Sequence, residues 1–145
     1  MNPILFLVFL LSPVACHISL RRYVADEARQ AAQSIVQTLQ KAASTRDVAL
    51  FLSVFDKSFT LVLCGQTITY SLLEKIGIDS DPIQNGDKVQ ITSAVLAGDE
   101  LTFVLVDKTP KGEEQLTVVA KKVGGAFKIF KINADKFSCS SWREQ

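Results

Sequence analysis

Histidine, tryptophan and methionine each occur once in these 145 residues, and 16 Lys+Arg nearly cancel 15 Asp+Glu, leaving a formal net charge of +1. That balance excludes a polycationic nucleic-acid binder, and 48% hydrophobic content excludes a disordered chain. There is no Walker-type glycine loop, paired-cysteine metal signature or dinucleotide fingerprint, so no cofactor is expected. Asn2, Asn85 and Asn133 all fail the Asn-x-Ser/Thr pattern, which removes N-glycosylation. The apolar run Ile4 to Leu11 stops at Ser12-Pro13, well short of the roughly 20 residues a membrane-spanning helix requires.

What the first 16 residues do contain is 12 hydrophobic residues and no charge, a composition that reads as an export signal, with an uncleaved anchor or a buried N-terminal element as the alternatives. Pro13 ends its apolar core, and Val14-Ala15-Cys16 supplies the small residues a signal peptidase reads. Cleavage there makes His17 the mature N-terminus. The expectation is a secreted, extracellular protein with no membrane attachment after processing, one domain over residues 17–137 and a tail over 138–145.

Export changes how cysteines are read, because thiols pair in an oxidising compartment. Removal of Cys16 leaves Cys64, in the apolar run Phe59 to Cys64, and Cys139, in the polar tail. A Cys64–Cys139 bridge would staple the tail to an early strand; the alternative is a buried Cys64 and a free Cys139. Two cysteines and one histidine are too few for the usual zinc site.

The first half of the domain has helical periodicity. Val24, Ala28, Ala31, Ala32, Ile35, Leu39, Ala42 and Ala43 recur at spacings of three and four, predicting a helix of about five turns with Asp26 and Glu27 in its first turn. Ser44-Thr45-Arg46-Asp47 resembles a capping box, and Val48, Phe51, Leu52 and Phe55 predict a second short helix. Phe59 to Cys64 and Thr67 to Thr69 read as a strand and its return, with Gly65-Gln66 as turn. Ser71-Leu72-Leu73-Glu74 opens a third helix that Gly77 can close, and the segment up to Gly86 reads as loop.

From Lys88 the period becomes two. Val89, Ile91 and Val95 share a phase, as do Leu101, Phe103 and Leu105, then Leu116, Val118 and Ala120, and Ala126 to Ile132 is the last strand. Gly124-Gly125 is a two-residue hairpin turn. Four strands joined by tight turns predict an antiparallel meander that curls.

This order of elements, with the junction Phe55-Asp56-Lys57-Ser58-Phe59 and the tandem hairpins, resembles the nuclear transport factor 2-like superfamily over Val24 to Ile132. The resemblance implies an α+β cone: three N-terminal helices packed in a strongly bent antiparallel sheet, with an internal apolar cavity. It is nearest to small secreted nematode members of unknown function. It also implies dimerisation through the open sheet face, and a choice between binding proteins and acid-base enzymes of the ketosteroid-isomerase or dehydratase kind.

Those enzymes need an acid, tyrosine or histidine inside the cone, and His17, at the mature N-terminus, lies outside the Val24 to Ile132 stretch that carries the resemblance. Asp107 shares the phase of Leu101, Phe103 and Leu105, and Tyr70 offers a hydroxyl, so these five residues are the candidate binding set. An enzyme would use Asp107 with Tyr70. Asp107 otherwise reads as a solvent-accessible strand end, Tyr70 as a packing residue, and Asp56 as a backbone-turning acid. Lys108, Lys111, Lys121, Lys122, Lys128 and Lys131, interleaved with Glu113 and Glu114, read as a solvated face. Without a second internal acid in view, the sequence favours a secreted non-enzymatic binding module for a small apolar ligand or a protein.

Overall fold

The computed structural model describes residues 13–76, 89–109 and 112–136. Its elements run α1 (Pro13–Thr45), α2 (Val48–Ser53), β1 (Phe55–Leu63), β2 (Gln66–Thr69), α3 (Tyr70–Ile76), β3 (Val89–Ala97), β4 (Glu100–Thr109), β5 (Gly112–Val123) and β6 (Ala126–Lys136). The predicted loop between Gly77 and Gly86 lies outside the described residues.

α1 starts earlier than its apolar stripe suggests. Proline suits the first position of a helix, because the missing N–H has no intrahelical partner there, and no glycine or proline interrupts the chain before Arg46. Asp26 and Glu27 consequently lie in the helix interior, and the first turn has no acid. Ala28, Ala32, Ile35, Leu39 and Ala42 form its buried stripe, and the three alanines allow close approach to the sheet.

The break after α1 is a C-terminal motif, and the capping box centred on Ser44 is not formed. Arg46 adopts φ 53, its N–H donates to Ala43 O (3.3 Å), and Asp47 N–H donates to Ala42 O (2.9 Å). Ser44 and Thr45 hydroxyls turn back to Lys41 O, and Asp47 caps α2 by accepting from Leu50 N at 3.0 Å. α2 then ends at Ser53, so Phe55 opens β1 instead of closing the helix. Thr69 accepts from Leu72 N (3.4 Å) at the start of α3, so that helix begins at Tyr70, ahead of the predicted Ser71 cap.

The six strands form one curved sheet in the order β2-β1-β6-β5-β4-β3. Every pairing is antiparallel except β1 with β6, which is parallel. The sheet is mixed, correcting the all-antiparallel expectation. Local turn chemistry specifies only hairpins, whereas Phe55 finds Ile129 across more than seventy intervening residues. Register shifts between Phe55 and Thr60, Ile91 and Ser93, Gln115 and Leu116, and Val119 and Ala120 mark bulges, each adding local bend.

The core fills the inner face of the sheet. Leu101, Phe103, Val118, Ala120 and Ile129 from β4, β5 and β6 pack with the α1 stripe, and no polar or charged residue is buried among the described residues. Aromatic edges close the junction end, with Phe51 to Phe55 at 5.1 Å and Phe55 to Phe59 at 4.8 Å between ring centroids. Ile129 N–H donates to Val54 O at 2.8 Å, joining that junction to β6.

Candidate functional site

In an antiparallel pair, residues directly opposite each other share a face. On the inner face Leu101 lies opposite Ala120, Phe103 opposite Val118, Leu105 opposite Leu116 and Asp107 opposite Glu114. Leu101 and Phe103 are 0% and 1% exposed, sealed against neighbours, whereas Leu105 and Asp107 are half-buried. The candidate set on β4 therefore grades from closed core to open rim.

Asp107 differs from the solvent-accessible strand end expected of it. Its Oδ1 is buried and has no hydrogen-bond partner among the described residues, and Val89 flanks it on the other side. A buried carboxylate oxygen normally finds a donor. The facing residue is a second carboxylate, Glu114, half-buried and itself engaged in an interaction. Glu114 is the residue that reading the sequence as a Lys/Glu face misses, although its phase with Leu116, Val118 and Ala120 gives it away. The inner rim thus holds two acids, correcting the view that Asp107 stands alone.

Tyr70 is half-buried against the core at the start of α3. It follows β2, and β1, β6 and β5 lie between β2 and β4 in the sheet order, so no strand pairing brings Tyr70 beside Asp107. Asp56 orients backbone, as expected: it accepts from Ser58 N (2.9 Å) and Ser58 Oγ (2.6 Å). The Ser58 hydroxyl first, then its N–H, hold the Asp56 carboxyl below its ordinary range, with Lys128 and Lys121 adding attraction and burial opposing.

Four of the basic residues have described neighbours, and Lys111 lies outside the described residues. Lys121 sits 4.3 Å over the Phe130 ring, Lys122 6.0 Å over Phe127, Lys128 Nζ donates to Ser53 O, and Lys108 lies opposite Glu113. Among the described residues no group of three His, Cys, Asp or Glu side chains could hold a metal, and no helix is long and apolar enough to cross a membrane.

Cys64 and Gly65 form the two-residue turn between Leu63 and Gln66, at φ 52 and 78. Positive φ costs cysteine about 1–2 kcal/mol, which glycine avoids. Cys64 is half-buried, and Cys16 and Cys139 both lie outside the residues whose side chains are described.

A second feature opens beside β3, a groove of about 440 Å³ lined by Arg29, Gln33, Val36 and Gln37 of α1 and by Val89, Gln90 and Ile91 of β3. In the sequence Arg29, Gln33 and Gln37 simply fall between the apolar positions of α1, and nothing local shows that a strand edge lies alongside them.

Solved structures share this architecture. One is a protein of unknown function from Silicibacter pomeroyi, with TM-score 0.56 and 15% identity, covering 74% of this chain and 94% of that one. The fold is nuclear transport factor 2-like. A second such protein of unknown function, from Shewanella oneidensis, has TM-score 0.55 and 11% identity over 73% of this chain and 97% of its own. A protein from Shewanella frigidimarina named as a candidate ketosteroid isomerase has TM-score 0.53 and 14% identity over 71% and 93%. At these identities the likeness is one of nuclear transport factor 2-like fold alone. No family model matches the sequence, and no curated protein matches it at a significant level. Nothing in these comparisons supports the narrower likeness to secreted nematode members.

Proposed function

We propose that the protein is a secreted, non-catalytic binding module. The observation that carries this reading is the apolar inner face: the described core contains no buried polar or charged residue, and Leu101 and Phe103 are sealed in packing. Acid-base catalysis on this fold requires a buried polar group at the substrate, and among the described residues only the rim supplies a buried polar atom without a partner. The ligand we assign is small and apolar, held where Leu105, Leu116 and Ile91 are half-buried. Export follows cleavage after Cys16, and the half-cystine at Cys64 pairs with Cys139. The outer face, where Val62 and Val95 are 63% and 61% exposed, carries a homodimer contact to a second copy.

Intact-mass measurement after native purification and mild extraction tests the proposal, since it reports the N-terminus, the disulfide and any retained ligand together. The reading expects a chain beginning at His17, two hydrogens lighter than its reduced form, and releasing a small apolar compound. A chain that retains Met1 after passage through a secretory system overturns the export reading, and one that carries no extractable compound overturns the assigned ligand class.

One observation favours a second reading. The unpartnered Asp107 Oδ1 facing Glu114 is the arrangement from which a carboxylate accepts an α-proton from an enolisable ketone, the chemistry implied by the name of the Shewanella frigidimarina neighbour. Glu114 then takes the supporting place the sequence assigned to Tyr70. Loss of turnover in Asp107→Asn with the fold intact is its test.

A further inference from the structure

β3 is a terminal strand of the sheet, and no described strand pairs with its outer edge. Such an edge presents unpaired N–H and C=O groups, and natural proteins blunt it with charge, proline, bulges or shortness. The opposite edge strand, β2, is short at 4 residues. β3 is 9 residues long, and its sequence Val-Gln-Ile-Thr-Ser-Ala-Val-Leu-Ala holds neither a charge nor a proline. Among the described strand pairings, a bulge between Ile91 and Ser93 is the one irregularity of β3.

The groove beside α1 lies against this edge. Successive side chains of a strand point to opposite faces, so a cavity that touches Val89, Gln90 and Ile91 in sequence touches the strand's backbone edge rather than either face. Along α1 the lining runs from Arg29 to Gln37, a rise of about 12 Å, which matches three to four residues of extended chain. Its chemistry is mixed: Val36, Val89 and Ile91 are apolar, three glutamines offer amides, and Arg29 makes no ion pair with any described residue.

From this placement we infer that the groove is a docking site for an extended acidic peptide. The peptide adds a strand to the outer edge of β3, and its carboxylate meets the Arg29 guanidinium in a charge-assisted hydrogen bond. A second copy of this chain pairing edge to edge fits less well, because β3 contains no acid to offer Arg29. The groove shares Ile91 with the place proposed above for a small apolar ligand, but the inference rests on the β3 edge and Arg29 and not on that reading.

The test titrates full-length protein with the fluorescein-labelled hexapeptide Thr-Val-Thr-Val-Thr-Glu. Controls are its Gln-terminated amide and a version N-methylated at alternate residues. Arg29 is exposed, so Arg29→Gln keeps the fold, checked by circular dichroism. The expected result is saturable binding that weakens about tenfold in Arg29→Gln for the acidic peptide only, and disappears on N-methylation. Absence of binding to the parent protein, indifference to N-methylation, or equal competition by free glutamate overturns the inference. So does concentration-dependent self-association that the peptide leaves unchanged.

Discussion

Asp107 on β4 lies directly opposite Glu114 on β5, with its Oδ1 buried and no described donor reaching it. Like charges placed opposite each other across a strand pair destabilise it by about 0.2–1 kcal/mol. Asp107→Asn removes that opposition and gives the pair an amide donor, so the variant is expected to be more stable than the parent by an amount in that range. Urea denaturation measures it, and a large loss of stability would show that the carboxylate is needed in place.

Phe59 is 2% exposed, with its ring edge-on to Phe55. Truncation to alanine leaves a cavity that the mixed sheet cannot collapse into, at a cost of about 3–5 kcal/mol. Phe59→Ala should therefore unfold at a much lower urea midpoint with an unchanged slope.

Asp56 carries the resolved pH dependence. Its carboxyl is held below the ordinary range by the Ser58 hydroxyl and N–H, so its contribution is fully present above the ordinary aspartate value and is lost as pH falls through the depressed one. Asp56→Asn should be less stable than the parent at neutral pH, with the gap closing below about pH 4. A gap that widens on acidification would reverse the sign of the argument.

Cys64 occupies a turn position with φ 52 that asparagine adopts readily, and Asn-Gly is a favoured pair for such a turn. Cys64→Asn thus preserves the hairpin while removing the proposed half-cystine. The expected loss, about 2–4 kcal/mol, then reports the bridge and not the turn. Under non-reducing conditions, peptide mapping of the parent should join the peptides containing Cys64 and Cys139; two alkylatable thiols would reject that pairing.

Hairpins were the most legible part of this fold, because their determinants are local: Gly124-Gly125 sets Val123 opposite Ala126, and period-two phases place Leu101, Phe103 and Leu105 on one face. The parallel β1–β6 pairing was not, since no turn records a contact between Phe55 and Ile129. Helix ends misled where side chains had two uses: Ser44 and Thr45 look like N-caps but bond back to Lys41, and Asp47 does the capping. At the site, alternation found Asp107 and would have found Glu114, but Glu113 and the nearby lysines made a surface reading of Glu114 natural. The groove beside Arg29 depends on which strand ends up at the sheet edge, a property of the whole topology.

Binding without acid-base turnover, as proposed, is checked by α-proton exchange. Cyclohexanone, a small enolisable cyclic ketone, is incubated with the native protein in deuterium oxide, and deuterium incorporation is followed by proton NMR. The expected result is exchange at the buffer rate for the parent and for Asp107→Asn alike. Exchange well above the buffer rate in the parent, abolished in Asp107→Asn with the fold intact, would contradict it and make the Asp107–Glu114 rim an active site.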